Sequence, residues 1–248
     1  MEKYAILSDI HSNVFALDAV VEDAIWKGAT RLVNLGDILY GPIAPRATYE
    51  RLQTLNALTI SGNQDRQIYQ STKDDVASNP TLQFILEDLG DVPLQWMRQL
   101  PSDVLITDDI YACHGAPDND LMYLLEDISS GYPQVKRDDE ILACLDGVQA
   151  PIILCGHTHL PRNVRLSSGQ TVVNPGSVGL QAYQDEWPLP HAMQNYTPQA
   201  SYVLIEEGIQ GQWDISFHRV DYDVQSAVQA AKSNGREDWA HYLKTGRC

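Results

Sequence analysis

Tyr4-Ala-Ile-Leu-Ser-Asp9-Ile-His11 stands near the start of the chain and governs its reading. Tyr4–Ser8 is a short apolar run that reads as a buried strand. It ends in a carboxylate and an imidazole two residues apart. On an extended chain residues i and i+2 point the same way, so a strand running into a loop can offer Asp9 and His11 to one ion. The design recurs downstream. Arg31–Leu35 leads into Gly36-Asp37, and Leu58–Ser61 leads into Gly62-Asn63-Gln64-Asp65. Asp103–Cys113, read as a hairpin turning at Asp108-Asp109, leads into His114-Gly115. Pro151–Cys155 leads into Gly156-His157-Thr158-His159, where the two imidazoles are again two residues apart.

Outward from these strands, Val14, Leu17, Val21, Ala24 and Ile25 mark one face of a helix. Arg46–Leu55 reads as a second helix, with Pro45 suited to its first turn. This alternation predicts an α/β fold with a largely parallel sheet under helical cover. Gln64–Gln99 is more polar and reads as helical, divided by Pro80, Pro93 and Pro101. Asp138–Leu145 is a further helix. Asn163–Val173 reads as a hairpin around Ser168-Gly169, and Ala200–Tyr222 as a longer one around Gly208–Gly211. A helical tail over 221–248 should form two short helices parted near Asn234-Gly235. No repeat or linker is visible, so one domain over 1–248 is the simplest organisation.

In open α/β sheets ligands gather outside the carboxyl ends of strands. Five polar clusters at five such ends can therefore converge on one site. Any one histidine alone would read as structural, and Gly-Asp or Gly-Asn alone as a turn. Together, in order and at strand ends, Asp9, His11, Asp37, Asn63, His114, His157 and His159 read as metal ligands. Imidazoles with carboxylates and no thiolate suit Mn, Fe, Zn, Co or Ni better than Ca or Mg alone. Seven ligands exceed the need of one tetrahedral ion and suit two divalent ions, with Mn the leading choice. Two such ions against two carboxylates make a local cationic trap, which can clamp a phosphoryl group and acidify bound water.

The trap would sit in an acidic chain. Over 248 residues the formal net charge is -16, with 44% hydrophobic and 20% charged residues. Such a chain repels nucleic-acid backbones, and no Lys or Arg run reverses that field. No stretch reads as a secretory signal or membrane span. The four cysteines show no CxxC pair, and Cys113 and Cys155 read as small buried residues at strand ends. A reduced, cytoplasmic protein acting on a small phosphoester is expected; the oligomeric state is not legible.

The ordered set D-x-H, GD, GN, H and GHxH over positions 9–159 resembles the calcineurin-like metallophosphoesterase superfamily. Asn174-Pro-Gly-Ser-Val-Gly179 and the closing Tyr222-Asp223 resemble its small prokaryotic phosphodiesterase branch. The resemblance implies a sandwich of two mixed β-sheets flanked by helices. It implies Asp9, His11 and His159 on one metal, Asn63, His114 and His157 on the second, Asp37 bridging them, and a metal-bridging hydroxide as nucleophile. Two departures stand out. The family commonly has a histidine after GN, thought to protonate the leaving group or bind the phosphoryl group. Here Gln64 stands there, followed by the usual orienting acid, Asp65. After Gly179 the family's Gln-Pro-Arg is replaced by a longer loop over 181–198, whose His191 could supply the lost acid. Asn13, as helix cap or phosphate contact, and Arg66 and Arg162, as phosphate ligands or surface ion pairs, complete the candidates. Alternatives on the same fold are a metal-binding scaffold with weak or no activity, as in the retromer subunit that resembles these enzymes, and a dinucleoside polyphosphate hydrolase or protein phosphatase.

Overall fold

A computed structural model describes residues 2–208 and 212–248. The chain begins with strand–helix alternation: β1 (Lys3–Leu7), α1 (Val14–Trp26), β2 (Arg31–Asn34), α2 (Pro45–Gln53) and β3 (Ala57–Thr59). Short helices α3 (Asn63–Gln70), α4 (Lys73–Ser78), α5 (Pro80–Leu89) and α6 (Asp91–Met97) follow. Next come β4 (Asp103–Thr107), β5 (Ile110–Cys113), β6 (Glu126–Asp127), β7 (Gln134–Val135), α7 (Asp138–Cys144) and β8 (Ile152–Leu154). The remainder is β9 (Arg162–Arg165), β10 (Thr171–Asn174), β11 (Ala182–Asp185), β12 (His191–Gln194), β13 (Ala200–Glu207), β14 (Trp213–Val220), α8 (Val224–Ser233) and α9 (Glu237–Thr245).

Two five-stranded sheets form, in the orders β14-β13-β1-β2-β3 and β4-β5-β8-β10-β9. Both are mixed. β1, β2 and β3 run parallel, as do β5, β8 and β10, whereas β13, β14, β4 and β9 are antiparallel additions. The expectation of a largely parallel sheet thus holds only for the strands that carry the motifs. β14, β4 and β9 join their neighbours through hairpins, which need no crossover helix.

Side-chain alternation explains the sandwich. On β1, Tyr4 and Ile6 face the second sheet and pack with Ile110, Ile152, Leu154 and Val203. Ala5 and Leu7 face the helices, packing with Leu17 and Val21 of α1 and with Leu243 of α9. β8 divides likewise, with Ile152 and Leu154 inward and Ile153 and Cys155 under α7. Strands covered on both faces read as continuous apolar runs, and Tyr4–Leu7 and Ile152–Cys155 do so. Pro80 occupies the first turn of α5, a position that loses no hydrogen bond. The turn expected at Gly208–Gly211 lies largely outside the described residues; the flanking strands pair from Ala200↔Val220 to Glu207↔Trp213. The 181–198 segment is more regular than a loop. β11 and β12 form an antiparallel hairpin with Asp185 opposite His191.

Candidate metal centre

All five motif strands end at one place. Asp9 and His11 follow β1, Asp37 follows β2, Asn63 opens α3 after β3, His114 follows β5, and His157 and His159 follow β8. One ligand atom from each of Asp9, His11 and His159 lies within 4.8 Å of the others, and the same is true of Asp37, His114 and His157. The Asn63 Oδ1 amide oxygen is 3.1 Å from His114 Nε2, alongside the second group.

The backbone is unusual here. Asp9, His11, Asp37, His157 and His159 have φ between +48° and +68°, as does Ser12 beside them. For residues other than glycine this left-handed region is sparsely occupied, and clusters of such residues mark functional sites. The i, i+2 spacing therefore acts through tight left-handed turns, not through the extended chain inferred from sequence. Close approach of loops is part of the same design. A Cβ on Gly62 would lie 2.2 Å from Asp37 Oδ1, and one on Gly156 would lie 2.0 Å from Ser8 Oγ.

Hydrogen bonds orient the imidazoles. His11 Nδ1 lies 3.0 Å from the Tyr40 carbonyl oxygen, His159 Nδ1 2.6 Å from that of Leu180, and His114 Nδ1 2.8 Å from that of Leu35. These contacts assign the proton to Nδ1 and leave Nε2 as a lone pair, the arrangement of metal-ligating histidines. His157 is reversed: its Nε2 lies 3.3 Å from the Leu121 carbonyl oxygen, which leaves Nδ1 free. The consequence is a clash of like charge density. His11 Nε2 and His159 Nε2 face each other at 3.0 Å, with Asp9 Oδ1 3.9 and 3.4 Å away. Asp9 Oδ1 is buried and has no hydrogen-bond partner. Two lone pairs and an orphaned carboxylate oxygen need a cation between them, and the donor set suits a first-row divalent metal.

The titration behaviour agrees. Burial pushes His11 and His157 down to about 4, so both are neutral and able to ligate. Burial also opposes the charge of Asp9 and Asp37, yet positive charge at the neighbouring imidazole nitrogens, whether a proton or a cation in its place, outweighs it and holds both carboxyls below the usual range. For His114 burial acts downward, but Asp37 3.5 Å away, helped by Asp9, raises it to about 10. The position thus favours positive charge, which a proton or a metal ion can supply.

The remaining candidates are spread more widely. Gln64 lines the cavity over the ligands; its backbone N–H donates to Asp37 Oδ1 at 2.8 Å, and its Oε1 is buried without a partner. Asp65 is fully buried and accepts from Ile38 N at 2.9 Å and Gly62 N at 3.0 Å, tying the Asp37 loop to the Asn63 loop. Burial, with Asp37 nearby, raises its pKa to about 7. His191 sits behind two tyrosines: its Nε2 is 2.8 Å from Tyr123 Oη, which is 2.9 Å from Tyr183 Oη. Asn13 caps α1 by accepting from Ala16 N, and donates to the Gly179 carbonyl and to Tyr222 Oη. Arg66 makes a two-pronged bond to Asp120 at 2.9 and 2.6 Å, bracing the loop that offers Leu121 to His157. Arg162 turns to a separate groove with Pro161 and Phe217, its Nε 3.2 Å from Glu126 Oε1. Neither arginine lines the cavity over the ligands, because a side chain adjacent to a motif in sequence can leave on the opposite side of its turn.

That cavity encloses about 220 Å³. Above His11, Asp37, Asn63, His157 and His159, its walls include Tyr40, Tyr123, Tyr183, Arg236, Trp239 and Tyr242. The last three belong to the carboxy-terminal tail, which the motifs did not implicate. Arg236 and Trp239 are three residues apart at the start of α9 and so share a face; that spacing was the one available signal.

Residues 3–189 match the calcineurin-like phosphoesterase superfamily domain, and the chain belongs to that family of metal-dependent phosphoesterases. A metallophosphoesterase from Sphaerobacter thermophilus shares its fold with a TM-score of 0.75 and 25% identity, over 99% of each chain. The hypothetical protein PH1004 of Pyrococcus horikoshii reaches a TM-score of 0.77 at 21% identity, again over 99% of each chain, a likeness of fold alone. In sequence the chain is 25% identical over 257 residues to the uncharacterized protein MJ0912 of Methanocaldococcus jannaschii, covering 95% of this chain and 94% of that one. Among the described residues, no helix is long and apolar enough to cross a membrane.

Proposed function

We propose that the protein is a two-metal phosphodiesterase. The observation that carries this reading is the His11–His159 Nε2 pair at 3.0 Å beside the orphaned Asp9 Oδ1, with a second ligand group built around Asp37. Asp9, His11 and His159 would hold one ion, Asn63, His114 and His157 the other, and Asp37 both. When bound, the two ions supply Lewis acidity toward the phosphoryl oxygens and a water of lowered pKa.

The chain's own groups do the rest. The Nδ1–carbonyl bonds fix the ring planes of His11, His114 and His159. Asp65 holds the Asp37 and Asn63 loops in register through backbone N–H groups. Gln64 can donate a hydrogen bond from its amide but cannot give up a proton, so the favoured esters are those whose leaving groups depart as stable anions. His191 reaches the cavity only through Tyr123 and Tyr183, which makes it a support for these walls. A diester monoanion suits the outer wall better than a polyphosphate, because its one guanidinium, Arg236, is already paired with Asp238. A reducing, cytoplasmic setting is part of the reading, supported by four unpaired cysteines, two of them buried.

Hydrolysis of bis-p-nitrophenyl phosphate across first-row divalent ions, Mn²⁺ first, tests the proposal. Metal-dependent turnover is expected, and its absence with every ion would overturn it. Asp37→Asn should weaken both ions and collapse turnover; near-normal activity would remove Asp37 from the bridging role. A chain that binds no metal would favour the scaffold reading.

A further inference from the structure

We infer that the outer half of the cavity is a subsite for a flat, uncharged aryl or heteroaryl group carried by the phosphodiester, an inference that rests on the phosphodiesterase reading. Five aromatic side chains, Tyr40, Tyr123, Tyr183, Trp239 and Tyr242, line this one cavity. They are continuous with the ligand imidazoles. Tyr183 meets the His159 ring at 4.6 Å between centroids, Tyr123 meets His157 at 4.7 Å, and Trp239 meets His11 edge-on at 5.7 Å. An ester group on phosphorus held at the metals would therefore enter aromatic walls within about one ring diameter, at separations where aromatic pairs attract. The cavity volume of about 220 Å³ is smaller than the roughly 300 Å³ at which drug-sized ligand sites begin. It suits one ring and a phosphoryl group rather than a polymer.

Charge narrows the class. Arg236 donates from Nε and Nη2 to Asp238 at 2.9 and 2.7 Å, and from Nη1 to Thr81 Oγ1 at 2.7 Å. Its positive charge is thus matched locally, while two of a guanidinium's five N–H groups remain for a neutral acceptor. Asp185, also on this wall, has no cation partner within salt-bridge distance among the described residues; its Oδ1 accepts from Trp187 N. Leaving aside the metal ligands, the wall carries Arg236 against Asp185 and Asp238, a net negative surface that opposes a second anionic group on the substrate. The wall is also braced. Asn234 donates to the Pro42 carbonyl at 2.8 Å, and the Arg236–Thr81 bond fastens the tail to α5. The tail therefore arrives preorganised, which limits the ordering cost of binding.

The test compares phenyl phosphate, methyl phosphate and 4-carboxyphenyl phosphate as competitive inhibitors of the manganese-loaded enzyme. All three present the same phosphoryl group to the metals. Phenyl phosphate should bind about fivefold more tightly than methyl phosphate, and the carboxyphenyl ester more weakly than phenyl. Trp239→Ala should erase the phenyl preference. Should that variant fail to fold, Asp185→Asn serves instead, tightening the carboxyphenyl ester by a larger factor than phenyl phosphate. Tryptophan fluorescence of the metal-loaded chain, titrated with the same esters and with Trp239→Phe as control, reads the subsite without relying on turnover. Equal binding of phenyl and methyl esters, or tighter binding of the carboxyphenyl ester, would overturn the inference. A retained phenyl preference in a chain that turns over no ester would support the subsite and defeat the phosphodiesterase reading; turnover with no ring preference would do the reverse.

Discussion

Gly62→Ala separates steric demand from backbone demand at the metal centre. Gly62 has φ -97° and ψ 176°, a conformation open to alanine, so the substitution carries no backbone strain. The obstacle is space. The new Cβ would lie 2.2 Å from Asp37 Oδ1, 2.4 Å from Asp37 N and 2.9 Å from Asp37 Cγ. Ordinary contact begins near 3.4 Å, so the two loops must part by about 1 Å, and two of the obstructing atoms belong to the Asp37 carboxylate proposed to hold both ions. The movement also strains the Gln64 N–H bond to Asp37 and the Gly62 N–H bond to Asp65. Overpacking of this kind costs about 1–3 kcal/mol of stability, and a misplacement of about 1 Å costs on the order of 100-fold in rate. Gly28→Ala is the control. Gly28 has φ +87° and nothing within 4 Å of an added Cβ, so it should lose about 1 kcal/mol through strain alone with metal binding intact. Calorimetric metal titration with thermal denaturation on both variants decides the matter. Gly62→Ala with wild-type metal affinity and turnover would refute the account of loop contact at Asp37.

Three further outcomes follow from the same geometry. Gln64→His should restore a proton donor, a contribution of about 10²–10⁴ in rate, and should help alkyl esters far more than nitrophenyl esters; equal effects on both would sink this account of Gln64. Arg66→Ala should leave phosphate affinity nearly unchanged, because its guanidinium is committed to Asp120; a large rise in KM with kcat preserved would return Arg66 to the substrate. Glu126 is buried, which raises its carboxyl to about 7 from an ordinary 4.5 despite Arg162. The folded state thus binds a proton that the unfolded chain releases, so stability should fall as pH rises from about 4.5 to about 7 and then level off. The difference is about 3 kcal/mol. Glu126→Gln, which resembles the protonated form, should flatten that decline, as read by denaturant unfolding between pH 4.5 and 8; an unchanged pH dependence would show that Glu126 does not carry it.

What the sequence disclosed depended on how each signal is encoded. Strands buried on both faces are written as contiguous apolar runs, so Tyr4–Leu7 and Ile152–Cys155 could be placed at once. Ligand type and order identified the residues that converge. The left-handed turns at Asp9 and His157 were hidden, because glycine normally signals that conformation and these positions carry none. The β11–β12 hairpin was hidden as well: Trp187-Pro-Leu-Pro190 lies at its tip, and prolines there mask two short pairing segments. Arg66 and Arg162 drew attention by proximity along the chain, whereas the cation of the cavity, Arg236, comes from a helix far away in sequence and near only in space. Tertiary placement of the tail decides that, and local pattern has no access to it.

The left-handed ligands have one more consequence, for how this chain can change. Conformations of that kind cost about 1–3 kcal/mol each when glycine is absent, and five ligands adopt them together. A lineage under selection for thermal tolerance alone, with no demand on metal binding, would drift toward glycine at Asp9, His11, Asp37, His157 and His159, and each step would relax the fold while emptying the site. On the proposed two-metal reading, ions held by these residues would return that conformational burden as ligation energy. Thermostability screens run without added metal would therefore select against function, and those run with metal would preserve it.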